Sequence, residues 1–382
     1  MEDCNKIQTV VFLIFQEIHP DEGISKKILA QVKAIEKLGY RCQLGRFVMD
    51  GEGESHYYIG NSKIYTYGSG IICKFRKIYC YSAIANYLIS KKNVIKCVYI
   101  RYTQFSNIFS AYFFKRLYDS SINILLEIPT YPYDGEFCYT SLKSYRIIEE
   151  RITRKKFMSY VNKIVTFSNN DYIFGKRTFI INNAIDLETI PLRKIESSMN
   201  EINLIGVADL SFWHGYDRII YGIKNYLQEG ENDLVIKFHI VGSYPGGEEY
   251  EKLKRLAKSL KVEDYVICYG TKSGEYLNKL FNKANLAIGC LGCHRKGILE
   301  VQSLKNVEYA ARGIPFIYSE INNHFDNQIY VLKEVPDDSP IDIKELIRFI
   351  QNVKISPQEI RDTIRDFTWE NQMGKIFSLY NS

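Results

Sequence analysis

Short apolar runs alternate with amphipathic helical patterns through most of this chain, and the alternation leaves few folds open to it. Gln8 to Phe15 reads as one buried strand. Ser25 can then cap a helix that puts Ile28, Leu29, Val32, Ile35 and Leu38 on one face, closed by Gly39. Further strands fall at Lys96 to Arg101, Ile122 to Ile128, Lys163 to Phe167 and Thr178 to Ile181, with helices between them. A strand covered on both faces is continuously apolar, so the pattern predicts an α/β fold with parallel, doubly wound sheets. The ligand crevice of such a sheet lies beyond the carboxyl ends of its strands. At 382 residues and 46% hydrophobic content the chain can bury two such cores, and a linker is expected near residues 184–200.

The most informative stretch is GILEVQSLKNVEYAARGIPFIYSE, in which seven residues separate Glu300 from Glu308. Ser303 suits an N-cap, Leu304 to Arg312 is helix-forming, Gly313 can end the helix in a left-handed turn, and Pro315 opens an apolar strand. Free N–H groups at such a helix start, with Lys305 in the first turn, suit an anionic phosphate. The stretch resembles the E-x7-E segment of retaining, nucleotide-sugar-dependent glycosyltransferases of family 4, of the kind that build bacterial surface polysaccharides and have the GT-B fold. NLIGVADLSFWHGYDRIIYGI and the segment from LVIKFHIVGSYPGG to NLAIGCL are similar to that family's second domain, in its order. INNAIDLETI is similar to its junction segment and FTWENQMGKIFSLY to its closing helix. The likeness is good over residues 180–382 and loose before them.

The resemblance implies two Rossmann-like domains facing a cleft: residues 1–190 on the acceptor side, 191–360 holding the nucleotide sugar, and 361–382 returning to the first domain. It assigns Glu308 to the ribose, Glu300 to sugar hydroxyls, Ser303, Leu304 and Lys305 to the diphosphate, and backbone at Gly242, Gly270 and Thr271 to the donor nucleotide. Gly23, the one glycine of the loop from His19 to Ser25, falls where the family has a glycine-containing loop. Where the family carries an Arg and a Lys for the leaving diphosphate, this chain has Asp209 and His214. Arg295, Lys296 and Lys305 are the expected replacements, with His214 adding charge when protonated. On the acceptor side, the loop after the strand ending at Ile128 offers Glu127, Tyr131 and Asp134, with Asp134 a candidate against the transferred sugar.

Charge is split between the halves. Residues 1–195 hold 28 Lys+Arg against 18 Asp+Glu, leaving 22 against 26 for the rest of the chain's 50 and 44. Basic runs at Lys74, Arg76 and Lys77, at Lys91 and Lys92, and at Arg151, Arg154, Lys155 and Lys156 read as solvated helix faces or as contacts for anionic lipid or a polyprenyl-linked acceptor. They match no nucleic-acid recognition module. The longest apolar run near the start, Val10 to Phe15, is too short to cross a membrane, so a cytoplasmic protein, peripheral at most, is expected.

Nine cysteines without a framework suit a reducing compartment. Cys290-Leu291-Gly292-Cys293-His294 matches a haem-attachment spacing, but no second ligand pair follows, so packing is expected there, with no metal and no cofactor. No Walker A sequence or G-x-S-x-G elbow occurs. The resemblance implies a metal-independent, retaining hexosyltransferase acting on a nucleotide sugar and a glycan or polyprenyl-linked acceptor. A sugar epimerase or phosphorylase, and a non-catalytic binding protein on the same fold, remain as alternatives.

Overall fold

The computed structural model describes residues 8–19, 22–68, 72–102, 106–133, 144–196, 200–230, 234–242 and 247–381, the side chains of 72–78, 144–147 and 379–381 excepted. The chain divides into two compact units, residues 1–182 with 369–382, and residues 183–368.

The first unit runs β1 (Thr9–Leu13), α1 (Gly23–Lys37), β2 (Arg41–Met49), β3 (Ser55–Ile59), β4 (Ser62–Gly68), α2 (Ile72–Ser90), β5 (Ile95–Arg101), α3 (Ile108–Asp119) and β6 (Ile124–Ile128). It continues with α4 (Ser144–Met158), β7 (Lys163–Thr166), β8 (Tyr172–Ile173) and β9 (Lys176–Ile180). These strands form one sheet in the order β4-β3-β2-β1-β5-β6-β7-β9-β8. β1 is buried throughout and lies parallel between β2 and β5, as its unbroken apolar run requires. The strands β2 to β4 were not foreseen. They are buried only in part, and the antiparallel β3–β4 pair extends one edge of the sheet.

Helix α1 turns inward only part of the face expected, with Ile28 and Ile35 buried and Val32 half-buried. It starts at Gly23 after Glu22, and Ser25 lies buried in its first turn with its hydroxyl accepting from the His19 N–H at 3.0 Å. Lys27, Ile28, Gln31, Ala34 and Ile35 are buried, while Leu29 and Leu38 are exposed. Polar Lys27 and Gln31 are drawn inward by a buried acid on β6, and the apolar periodicity alone could not show that.

The second unit runs β10 (Glu201–Val207), α5 (Tyr216–Gln228), β11 (Val235–Val241), α6 (Glu248–Ser259), β12 (Val266–Cys268), α7 (Gly274–Lys283), β13 (Leu286–Ile288) and α8 (Leu304–Arg312). It closes with β14 (Phe316–Tyr318), β15 (Val331–Lys333), α9 (Ile343–Asn352) and α10 (Pro357–Asp362). Its sheet is wholly parallel, in the order β12-β11-β10-β13-β14-β15. The last helix, α11 (Trp369–Asn381), belongs to the first unit. It packs on α1, with Phe377 against Tyr40 and Trp369 against Phe167, whose ring centroid lies 3.3 Å from Lys27 Nζ.

Candidate active site

The strand order of the second sheet reverses between β10 and β13, and the loops leaving their carboxyl ends meet there, as the doubly wound geometry demands. Gly215 sits at φ 66°, and a Cβ on it would come within 2.7 Å of the Leu291 carbonyl carbon. The Leu291 N–H donates to the His214 carbonyl at 2.9 Å, and Arg295 Nη1 donates to the Phe212 carbonyl at 2.8 Å. The two loops are therefore locked together, and only glycine fits the first of them at that point. At the end of β11, Gly242 has φ 120° and lies so close to the Ala208 carbonyl that a Cβ would fall 1.9 Å from its oxygen. Its N–H donates to the Gly270 carbonyl at 2.8 Å, and Thr271 follows, exposed.

Helix α8 begins beside this junction. Ser303 holds the N-cap position in extended backbone, but its hydroxyl makes no capping bond. Capping of the first-turn N–H groups is thus left to other partners. Gly313 ends the helix at φ 70°, where Pro357 leaves no room for a side chain. Glu300 is set by a parallel bridge to Ile321, with the Ile321 N–H donating to the Leu299 carbonyl at 2.7 Å. Glu308 is held from one helical turn on: Arg312 Nε donates to its Oε1 at 2.9 Å. Arg312 is itself buried, donates to Asn278 Oδ1 at 2.8 Å and lies over the Phe281 ring.

The expected phosphate cations divide. Arg295 is committed elsewhere. It makes a two-pronged contact with Asp217 at 2.9 and 2.8 Å and another with Asp338 at 2.7 Å, so its charge is already met by two carboxylates. His214 is not a cation: burial, then the nearby Lys305 and Lys296, pushes its pKa well below the usual imidazole range, and its Nδ1 accepts from the Ser211 N–H at 3.0 Å. Lys305 turns inward. Its Nζ is buried without a hydrogen-bond partner, 5.7 Å from the Tyr216 ring centroid, where burial lowers its pKa but Cys290, Tyr309 and Glu320 more than offset that. Lys296 is partly exposed, with Nζ 4.9 Å from the Trp213 ring centroid.

In the first unit, Glu127 is not a rim acid. It is fully buried on β6, paired with Arg101 and accepting from Tyr99 at 2.7 Å and Gln31 at 2.8 Å. Tyr131 is half-buried against Tyr133 and Phe174, its N–H donating to Ser168 Oγ at 2.9 Å. Gly23 opens α1, exposed, and a Cβ on it would meet nothing within 4 Å. Asp134 lies outside the described residues. Of the residues the sequence did not single out, Arg312 was visible as a cation four places after Glu308. Asp217, Asp338, Asn306 and Glu320 carried no signal, because their partners are distant in sequence.

Residues 191–358 match the family Glycosyl transferases group 1. No curated protein matches the chain. Among solved structures it is similar to a sucrose-phosphate synthase from Thermosynechococcus elongatus, at a TM-score of 0.70 and 13% identity over 98% of this chain and 99% of that one. It is also similar to Anabaena HepE in complex with UDP, at 0.64 and 12% over 98% and 100%. A third is the lipopolysaccharide outer core galactosyltransferase WaaB, at 0.61 and 15% over 97% and 100%. The second unit therefore carries a glycosyl transferases group 1 domain, and the chain has the GT-B fold of these glycosyltransferases.

Proposed function

We propose that this protein moves one sugar from a nucleotide-diphosphate donor to a polysaccharide or lipid-linked acceptor, with retention of configuration and without a metal ion at the diphosphate. The observation that carries this reading is the placing of Glu300, Glu308 and the α8 N-terminus at the switch point of a sheet within the matched family segment. Glu308 accepts from the ribose hydroxyls and Glu300 from those of the sugar. The first-turn N–H groups of α8 at Ser303 and Leu304 take the diphosphate, with Lys296 supplying charge. Gly242 permits close approach, and the backbone at Gly270 and Thr271 lies beside the base. Lys305 contributes from behind the helix start as a buried charge.

Transfer then depends on stabilising the departing diphosphate, whose charge grows in the transition state. HepE is solved with UDP, so UDP-sugars head the donor panel. The test is release of nucleoside diphosphate in the presence of lipid and glycan acceptors, with a shift in melting temperature as the binding readout. A donor present at about 100 times its Kd stabilises by about 2.7 kcal/mol. Neither release nor a shift with any nucleotide sugar overturns the proposal. Binding without release favours a non-catalytic binding protein, the reading that the neutral His214 and the Asp209 substitution support.

The acceptor side is proposed to work at an anionic membrane face. No helix among the described residues is long and apolar enough to cross a membrane. Helices α3 and α4 pack together and expose Ile108, Phe109 and Tyr112 on one, Ile148 and Ile152 on the other, with Ile152 69% exposed beside Arg151, Lys155 and Lys156. Arg154 is excluded from that surface, being turned onto Glu150 and Phe174. Each Lys or Arg near such a surface is worth about 1 kcal/mol, roughly a factor of five. Charge reversal of Arg151, Lys155 and Lys156 should therefore release the protein from anionic vesicles at low salt while leaving nucleotide binding intact. Equal binding of the unaltered protein to neutral and anionic vesicles would rule this surface out.

A further inference from the structure

The Cys290-x-x-Cys293 pair lacks a second ligand pair in sequence, but the fold brings it a third ligand. Cys290 follows β13, Cys293 begins the short turn after it, and Glu320 follows the neighbouring strand β14. One ligand atom from each of the three lies within 4.8 Å of the others, and all three residues are buried. Ligands on a tetrahedral zinc ion at about 2.0–2.3 Å stand roughly 3.5–3.8 Å apart, so small side-chain adjustments would close the set. Among the described residues this is the group of such ligands that is buried throughout; the other, Asp50, Glu54 and His56, is buried only at His56 and lacks sulfur.

We infer that Cys290, Cys293 and Glu320 bind a structural zinc ion that ties the loop after β13 to the end of β14. Three features point at the same spot. First, Glu320 is oriented as a ligand would be: Asn306 Nδ2 donates to its Oε1 at 3.1 Å, while Oε2 is buried with no partner. An outer-shell bond that fixes a ligating carboxylate in this way is the usual companion of a metal site. Second, the Oδ1 of the same Asn306 is also buried without a partner; the three-residue group leaves the fourth position to a water. Third, Lys305 Nζ is buried there with no hydrogen-bond partner. Two thiolates and a carboxylate around Zn²⁺ carry a net charge of −1, and a buried anionic centre needs a cation beside it. Lys305, set among Cys290, Cys293 and Glu320, supplies it. His294, the next residue of the motif, is turned instead to Asp338, with Nε2 at 3.2 Å.

Thiolate ligands select zinc over magnesium or manganese, and the C-x-x-C spacing suits one ion. The inference concerns the frame behind the α8 N-terminus and does not rest on the glycosyl-transfer reading. The test is the zinc content of the full-length protein, purified under reducing conditions, equilibrated with zinc and dialysed. One zinc per chain is expected, retained on gel filtration, released when the thiols are blocked with a mercurial, and replaceable by cobalt with thiolate-to-cobalt absorption. Cys293→Ser should lose the zinc, Glu320→Gln should weaken it at least tenfold, and Cys42→Ser should leave it unchanged. Glu320→Gln keeps the shape of the side chain, so it remains informative should Cys293→Ser fail to fold. Less than a tenth of an equivalent of zinc, or equal zinc in the unaltered protein and both site variants, overturns the inference. A zinc-free protein whose Cys290 and Cys293 close to a disulfide under mild oxidation would identify a redox pair in its place.

Discussion

Glu308→Ala should weaken nucleotide-sugar binding by roughly 10- to 150-fold, the equivalent of the 1.5–3 kcal/mol of a hydrogen bond to a charged group, while the protein stays folded. Glu308 is partly exposed, and its interaction with Arg312 uses Oε1. Arg312 does not depend on it alone, because Asn278 and the Phe281 ring hold the guanidinium as well. The substitution also takes the carboxylate from the buried Arg312, so some loss of melting temperature accompanies the loss of the acceptor, with Asn278 and the Phe281 ring limiting it. Calorimetry with the cognate nucleotide reads the affinity, and the melting temperature without ligand reads the fold. Glu308→Gln, which keeps shape and one acceptor oxygen, should fall between the two. Unchanged affinity in the alanine variant would remove Glu308 from the donor site, and with it the main support for the proposed function.

Much of the fold was legible because the physics that sets it is local. An unbroken apolar run such as β1 has to be buried on both faces, and Gly313 ends α8 because the next turn needs a left-handed residue there. The placing of α8 after β13 and before β14 follows from the same alternation. The strands β2 to β4 were missed because polar residues interrupt them and dilute the strand signal.

Site chemistry was less legible, since charges are decided by partners that lie far apart in sequence. Arg295 looked available until Asp217, 78 residues away, took it up. His214 sat at a position suited to a cation, yet burial makes it neutral. Lys305 was correctly placed in the first turn of a helix, but nothing in its neighbourhood in sequence revealed that its ammonium is buried near Cys290 and Glu320, which follow β13 and β14.

Glu127 is the case with the largest expected effect on stability. Placed by sequence at the rim of the crevice, it is fully buried, with Arg101 and Lys27 as its cationic neighbours and Tyr99 and Gln31 as its donors. Glu127→Leu should destabilise the full-length protein by about 3–5 kcal/mol, because it leaves the buried Arg101 guanidinium without its anion. Native domains have only about 5–15 kcal/mol in hand. The pH dependence has a definite sign. Burial raises the pKa of this carboxyl, but Arg101 and Lys27 outweigh it and hold the pKa below the ordinary carboxylate value. The contribution is thus fully present above the unfolded value, about 4.3 for Glu, and is lost as the pH falls through the lower folded value. Urea unfolding followed by circular dichroism measures it. Replacing Lys27 and Arg101 by methionine in the Glu127→Leu background should recover much of the loss, since an apolar cluster can stand in for a buried ion pair. A Glu127→Leu protein within 1 kcal/mol of the unaltered one, impaired only in transfer to the acceptor, would return Glu127 to the acceptor side.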